Sequence, residues 1–215
     1  MDDLKADSRK SRRLAVYVHG KGGSAAEAAH YEPLCPGWDV IGFDYQAQTP
    51  WEARTEFPRF FAQQRRTCDT LLLIANSIGA QFALQALSRE QVDRALFISP
   101  VVDMEKLIGN MMKWAGVTEA ELCARQEIPT SFGETLSWQY LCDVRQHPIL
   151  WHVPTCILYG AGDDLTNPGT IAAFADRTGA ALTVMQEGEH WFHTPEQMQV
   201  LDHWVSASLL AWGLL

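Results

Sequence analysis

The chain has 215 residues, between one and two domains at roughly 150 each. Its 47% hydrophobic and 20% charged content is globular and excludes a disordered or collagen-like chain. The formal charge is −9; the first thirteen residues hold five cations and three anions, which leaves −11 on the rest, and so acidic a body repels phosphate backbones and anionic membranes, against nucleic-acid or membrane partners.

In chain order, residues 1–13 form a polar tail without the apolar stretch that secretion requires. Short apolar, β-rich runs follow at 14–18, 38–45, 70–75, 94–99, 155–159 and 181–186, continuous rather than alternating, as expected of strands buried on both faces. Helices are expected between them at 25–31, 52–66, 78–88 and 169–177. A final helix is signalled by Thr194-Pro195-Glu196-Gln197, with Met198, Leu201, Val205, Leu209 and Trp212 as its apolar stripe. Strand–helix alternation predicts an α/β fold with a doubly wound, mainly parallel six-stranded sheet. One interval is too long for a crossover: residues 101–154, rich in Met and Trp, are expected to add a pair of helices, either filling a groove or forming a lid on the ligand-binding edge. Residues 14–215 are read as one domain carrying this insert. Five scattered cysteines with no C-x-x-C pair suggest reduced thiols in the cytoplasm, and the seven histidines show no paired metal-ligand spacing.

Three segments carry chemistry. Ala75-Asn76-Ser77-Ile78-Gly79 runs from a strand through a Ser flanked by small residues into a helix, the pattern of a nucleophile elbow; the plainer alternative is that Ser77 caps the helix. Asp163, in Gly160-Ala161-Gly162-Asp163-Asp164, and His190, in Gly188-Glu189-His190-Trp191-Phe192-His193, follow the fifth and sixth strands on the same edge. A Ser hydroxyl needs a His to take its proton, and the His needs a carboxylate to hold its tautomer; Ser, Asp, His is also the chain order such sheets use. The third segment, His19-Gly20-Lys21-Gly22-Gly23-Ser24-Ala25, has two readings. It is an oxyanion loop offering the Lys21 amide opposite that of Ile78, or a dinucleotide fingerprint with Asp44 as the ribose ligand.

These segments resemble those of the α/β-hydrolase superfamily, in a compact serine esterase or lipase-like form covering nearly all the chain after Leu14. The resemblance implies strand order 2-1-3-4-5-6 without the family's two N-terminal strands, and it implies Ser77 as nucleophile, His190 as base and Asp163 as its partner. The amides of Lys21 and Ile78 would form the oxyanion hole. Asp164 and Asp103 are the alternative acids, His193 the alternative base, and Ala75 departs from the usual elbow Gly. The expected activity is cleavage of a small carboxylic ester or thioester with no cofactor or metal. Met111, Met112, Trp114, Trp138 and Trp191 suggest an apolar acyl or aryl pocket, although Met and Trp at helical spacing are also common in cores. The rival functions are a nicotinamide-dependent oxidoreductase and a non-hydrolytic lyase or binding protein on the same fold.

Overall fold

A computed structural model of the chain describes residues 12–215. Most of the expected tail therefore lies outside the described residues, and Arg13 already belongs to the first strand. Six strands form one parallel sheet: β1 (Arg13–Val18), β2 (Asp39–Gly42), β3 (Thr70–Asn76), β4 (Arg94–Ile98), and, after the insert, β7 (Thr155–Gly160) and β8 (Ala181–Met185). Their order, β2-β1-β3-β4-β7-β8, is the expected 2-1-3-4-5-6.

Successive residues of a strand face opposite sides, and here both sides are packed. On β1 and β3, Leu14, Val16, Val18, Leu71, Leu73 and Ala75 join one apolar cluster, while Ala15, Tyr17, Leu72 and Ile74 join the other. The first cluster is closed by α1 (Pro50–Arg65), α2 (Ser77–Ala86) and α6 (Pro168–Thr178), through residues such as Phe57, Phe61, Phe82 and Phe174. Each buried aromatic of this kind contributes ~1.5–3 kcal/mol. The second cluster is closed by α7 (Pro195–Ala211), which lays Leu201, Val205 and Leu209 on the sheet. Thr194 caps α7 by accepting the Gln197 N–H at 3.3 Å, with Pro195 at the first helical position where no N–H is needed.

Three expectations are corrected. Residues 25–31 form a 3₁₀ segment, Ala25–Tyr31, not an α-helix; its start lies so close to β2 that a Cβ on Gly42 would stand 1.9 Å from the Ala25 carbonyl oxygen. β8 is an edge strand with Thr183 and Val184 exposed, so it is not buried on both faces. The insert is more than a helix pair. It comprises α3 (Met104–Ala115), α4 (Glu119–Arg125), the antiparallel hairpin β5 (Glu127–Pro129) and β6 (Thr135–Ser137), and α5 (Trp138–Gln146). These elements share a core of their own around Leu107, Ile108, Leu122, Leu136 and Leu141. Among the described residues no helix is long and apolar enough to cross a membrane.

Candidate active site

Ser77 sits where β3 turns into α2, with φ at +50°, a left-handed conformation that a non-glycine residue adopts only when its surroundings enforce it. The enforcing contact is close: a Cβ on Gly79 would lie 2.3 Å from the His19 carbonyl oxygen, so only glycine lets α2 start this near the end of β1. Val101 N–H donates to the Ser77 carbonyl at 3.3 Å and holds the turn from the β4 side.

Another pair of glycines joins the loops after β7 and β8. A Cβ on Gly160 would be 2.5 Å from the Gly188 carbonyl, and one on Gly188 would be 2.9 Å from the Gly160 Cα. Gly162 N–H donates to the Gly188 carbonyl at 2.8 Å. This backbone contact brings Asp163 and His190 together: Asp163 Oδ2 is 2.7 Å from His190 Nδ1, and His190 Nε2 is 2.8 Å from Ser77 Oγ. Phe192, buried in the second apolar cluster, pins the segment that carries His190.

Asp163 has a fully buried side chain, and each of its oxygens is occupied. Oδ1 accepts the Leu165 and Thr166 amides at 2.8 and 2.9 Å, which leaves Oδ2 for the imidazole. With Nδ1–H donated to the carboxylate, Nε2 is the acceptor facing the Ser77 hydroxyl. Tyr159 braces the same loop by donating to the Thr166 carbonyl at 2.7 Å; burial, with the Asp163 charge second, pushes its phenol up to about 12.

The alternative acids and base are engaged differently. Asp164 is exposed, and Asp103 caps α3 by accepting the Lys106 amide at 2.9 Å. His193 lies at the surface, stacked on Trp191, with Nδ1 2.7 Å from the Trp191 carbonyl. Lys21 N–H makes no hydrogen bond among the described residues, and Ile78 N–H is among the first amides of α2, which have no partner within the helix. Gly20 abuts the elbow, since a Cβ there would be 3.3 Å from the Ser77 Cβ.

The five residues expected to line a pocket are spread out. Met112 is buried in the insert's core, and Met111 and Trp138 pack against it. Trp114 and Trp191 are 54% and 68% exposed, with Trp114 edge-on to Phe132 at 6.1 Å. A cavity of about 370 Å³ lies between α3, α5 and α6, lined by Asp103, Lys106, Arg145, His147 and Arg177, apart from Ser77. Asp44 is exposed, and the glycine loop opens the short 3₁₀ segment rather than the helix that a dinucleotide fingerprint requires. No three His, Cys, Asp or Glu side chains among the described residues are grouped to hold a metal ion.

The reading of the sequence missed Tyr45. Its ring stacks on His19 at 4.4 Å and its hydroxyl donates to the His19 carbonyl at 3.0 Å, while burial pushes the phenol up to about 12. An aromatic at the end of the second apolar run, 38–45, gives no such signal by itself.

Several solved structures match the fold of nearly the whole chain. Est1E from Butyrivibrio proteoclasticus superposes with a TM-score of 0.73 at 14% identity, over 96% of this chain and 90% of its own. The chain has the α/β-hydrolase fold. The α/β hydrolase domain-containing protein 10 from mouse matches with a TM-score of 0.73 at 16% identity, over 94% of this chain and 92% of its own. An esterase from Pyrococcus furiosus shares the α/β-hydrolase fold with a TM-score of 0.62 at 17% identity, over 94% and 83% of the two chains. No protein-family model and no curated protein sequence matches this chain.

Proposed function

We propose that this protein is a serine hydrolase of carboxylic esters or thioesters, with Ser77 as nucleophile, His190 as general base and Asp163 as the group that fixes the base. The observation that carries the reading is the unbroken Ser77–His190–Asp163 relay, at 2.8 and 2.7 Å, on a serine held at positive φ. Ser77 Oγ attacks the acyl carbon as His190 Nε2 takes its proton, and the imidazolium that forms is stabilised by Asp163. The amides of Lys21 and Ile78 are the proposed donors to the tetrahedral oxyanion, each worth ~3–4 kcal/mol of barrier lowering. His190 then protonates the leaving alcohol or thiol, and activates a water to cleave the acyl-enzyme.

The insert 101–154 is proposed as a lid over one hydrolase domain. Its core packs against Ile78 and Leu165, the neighbours of the nucleophile and the acid loop, and Lys21 pairs with Glu134 in the hairpin turn. Of the five residues expected at a pocket, Met111 and Trp138, at the edge of the insert's core, and Trp191, next to His190, are proposed to contact an apolar or aryl portion of a small-molecule substrate. Est1E, one of the fold relatives, has been solved with ferulic acid bound, which is in keeping with that choice. No cofactor enters these steps. Five free cysteines support a cytoplasmic location.

The test is the intact mass of wild type and Ser77→Ala after treatment with a fluorophosphonate probe. One adduct on wild type and none on the variant is expected. An unlabelled wild type, or labelling that survives in the variant, refutes the assignment.

A further inference from the structure

The loop 19–24 reaches the elbow at one end, where Gly20 abuts Ser77, and a carboxylate holds its other end. Glu27 Oε1 accepts the Ser24 N–H at 2.9 Å, and Oε2 accepts the Tyr17 hydroxyl at 2.6 Å. The same carboxylate lies against the loop backbone: a Cβ on Gly23 would be 2.7 Å from Oε1 and 3.1 Å from Oε2. Tyr17 is itself buried in β1 with its ring stacked on Tyr31 at 5.0 Å. Gly23 N–H donates to the Gly20 carbonyl at 3.2 Å, so the restraint passes along the loop in one tight turn.

Capping a seven-residue 3₁₀ segment would use only the bond to Ser24. The second oxygen is spent on a hydroxyl from the sheet's interior, which ties the loop to β1 rather than to its own helix. We infer that Glu27 is a positioning residue for the oxyanion loop: anchored by Tyr17, it sets the height of the loop backbone and so the aim of the Lys21 amide. The catalytic half of this inference rests on the hydrolase reading above.

A displaced amide loses part of what a deleted oxyanion donor loses, about 10²–10³ in kcat. Glu27→Ala is expected to lower kcat on a p-nitrophenyl ester by about 10–100-fold with KM changed less than about threefold, because the oxyanion forms only in the transition state. Glu27→Gln keeps an acceptor oxygen and should recover most of the loss. Tyr17→Phe removes the anchor but leaves the Ser24 bond, and should fall between the two; these two variants also carry the test if the alanine variant does not fold.

Hydrogen exchange reads the loop independently of turnover. Exchange in peptides covering 19–24 should quicken in Glu27→Ala while β3 and α7 keep their protection. Unchanged exchange there overturns the inference, as does quickened exchange with an unaltered kcat. A wild type that neither labels nor hydrolyses esters removes the hydrolase reading instead, and unchanged loop exchange would still refute a holding role for Glu27.

Discussion

Exchanging Asp163 for Asn alters one atom and reverses the proton order of the His190 ring. The Asn carbonyl can still accept the Leu165 and Thr166 amides, now at 2.8 and 2.9 Å from Asp163 Oδ1, so the buried loop keeps its bonds. The new NH₂ then stands where Oδ2 was, 2.7 Å from His190 Nδ1, and a donor there makes Nδ1 the acceptor. Nε2 must then carry the proton, facing the Ser77 hydroxyl 2.8 Å away with a hydrogen instead of a lone pair. On the proposed assignment the general base is lost without any change of shape, which in a Ser-His-Asp triad lowers kcat by about 10⁴, or roughly 5 kcal/mol of barrier. The assay is steady-state hydrolysis of a p-nitrophenyl ester by Asp163→Asn, Asp164→Asn and Asp103→Asn, with thermal melts alongside. Asp164→Asn should retain activity within about twofold, since that side chain is exposed. Asp103→Asn should do likewise, because Asn caps helices nearly as well as Asp. A tenfold or smaller loss in Asp163→Asn, or a large loss in Asp164→Asn, would refute the reasoning.

Gly79→Ala places a methyl 2.3 Å from the His19 carbonyl oxygen, and a backbone atom cannot step aside. A loss of roughly 3 kcal/mol is expected in denaturant melts, whereas Gly22→Ala meets only the positive-φ cost, since nothing lies within 4 Å of its added Cβ. All five tyrosines are shifted upward, chiefly by burial, with Tyr45 and Tyr159 at about 12. Unfolded tyrosines lose their protons near pH 10 while folded ones keep them, so stability is intact below that value and falls as pH rises toward 12. In an alkaline titration, phenolate absorbance should therefore appear together with unfolding; gradual ionisation of a folded protein would contradict it. Thiol counting with a disulfide reagent should find Cys123 first, Cys68 and Cys142 next, and Cys35 and Cys156 only on denaturation. Burial pushes the Cys35 thiol up to about 11, which suppresses its reactive thiolate as well.

What could be read from the residues alone was what repeats over several positions or falls at a strand end. Continuous runs such as Leu71-Leu72-Leu73-Ile74 announce a strand packed on two faces, and the Thr194-Pro195 start of α7 is a local chemical signal. The hairpin escaped because strands of three residues, Glu127–Pro129 and Thr135–Ser137, are too short to show a period. β8 looked like its neighbours because its apolar residues are those of an interior strand, and only the topology makes it an edge. The adjacent Asp163 and Asp164 differ by which one turns into the loop, and that depends on the meeting of Gly160 with Gly188, a contact 28 residues apart in the chain. Trp114 and Trp191 suggested a pocket lining by type, and their exposure follows from where the insert and the His190 segment sit.

That edge position of β8 bears on how the molecule fails. The strand is hydrogen-bonded on one side only and has two exposed residues in its middle, so it belongs to the part of the sheet that frays first. His190 hangs five residues beyond its end, whereas Ser77 and the loop 19–24 hang from β3 and β1 in the protected centre. If Ser77 and His190 act as proposed, heating is expected to free the imidazole while the Ser77 side is still folded, so that reversible loss of activity precedes global melting.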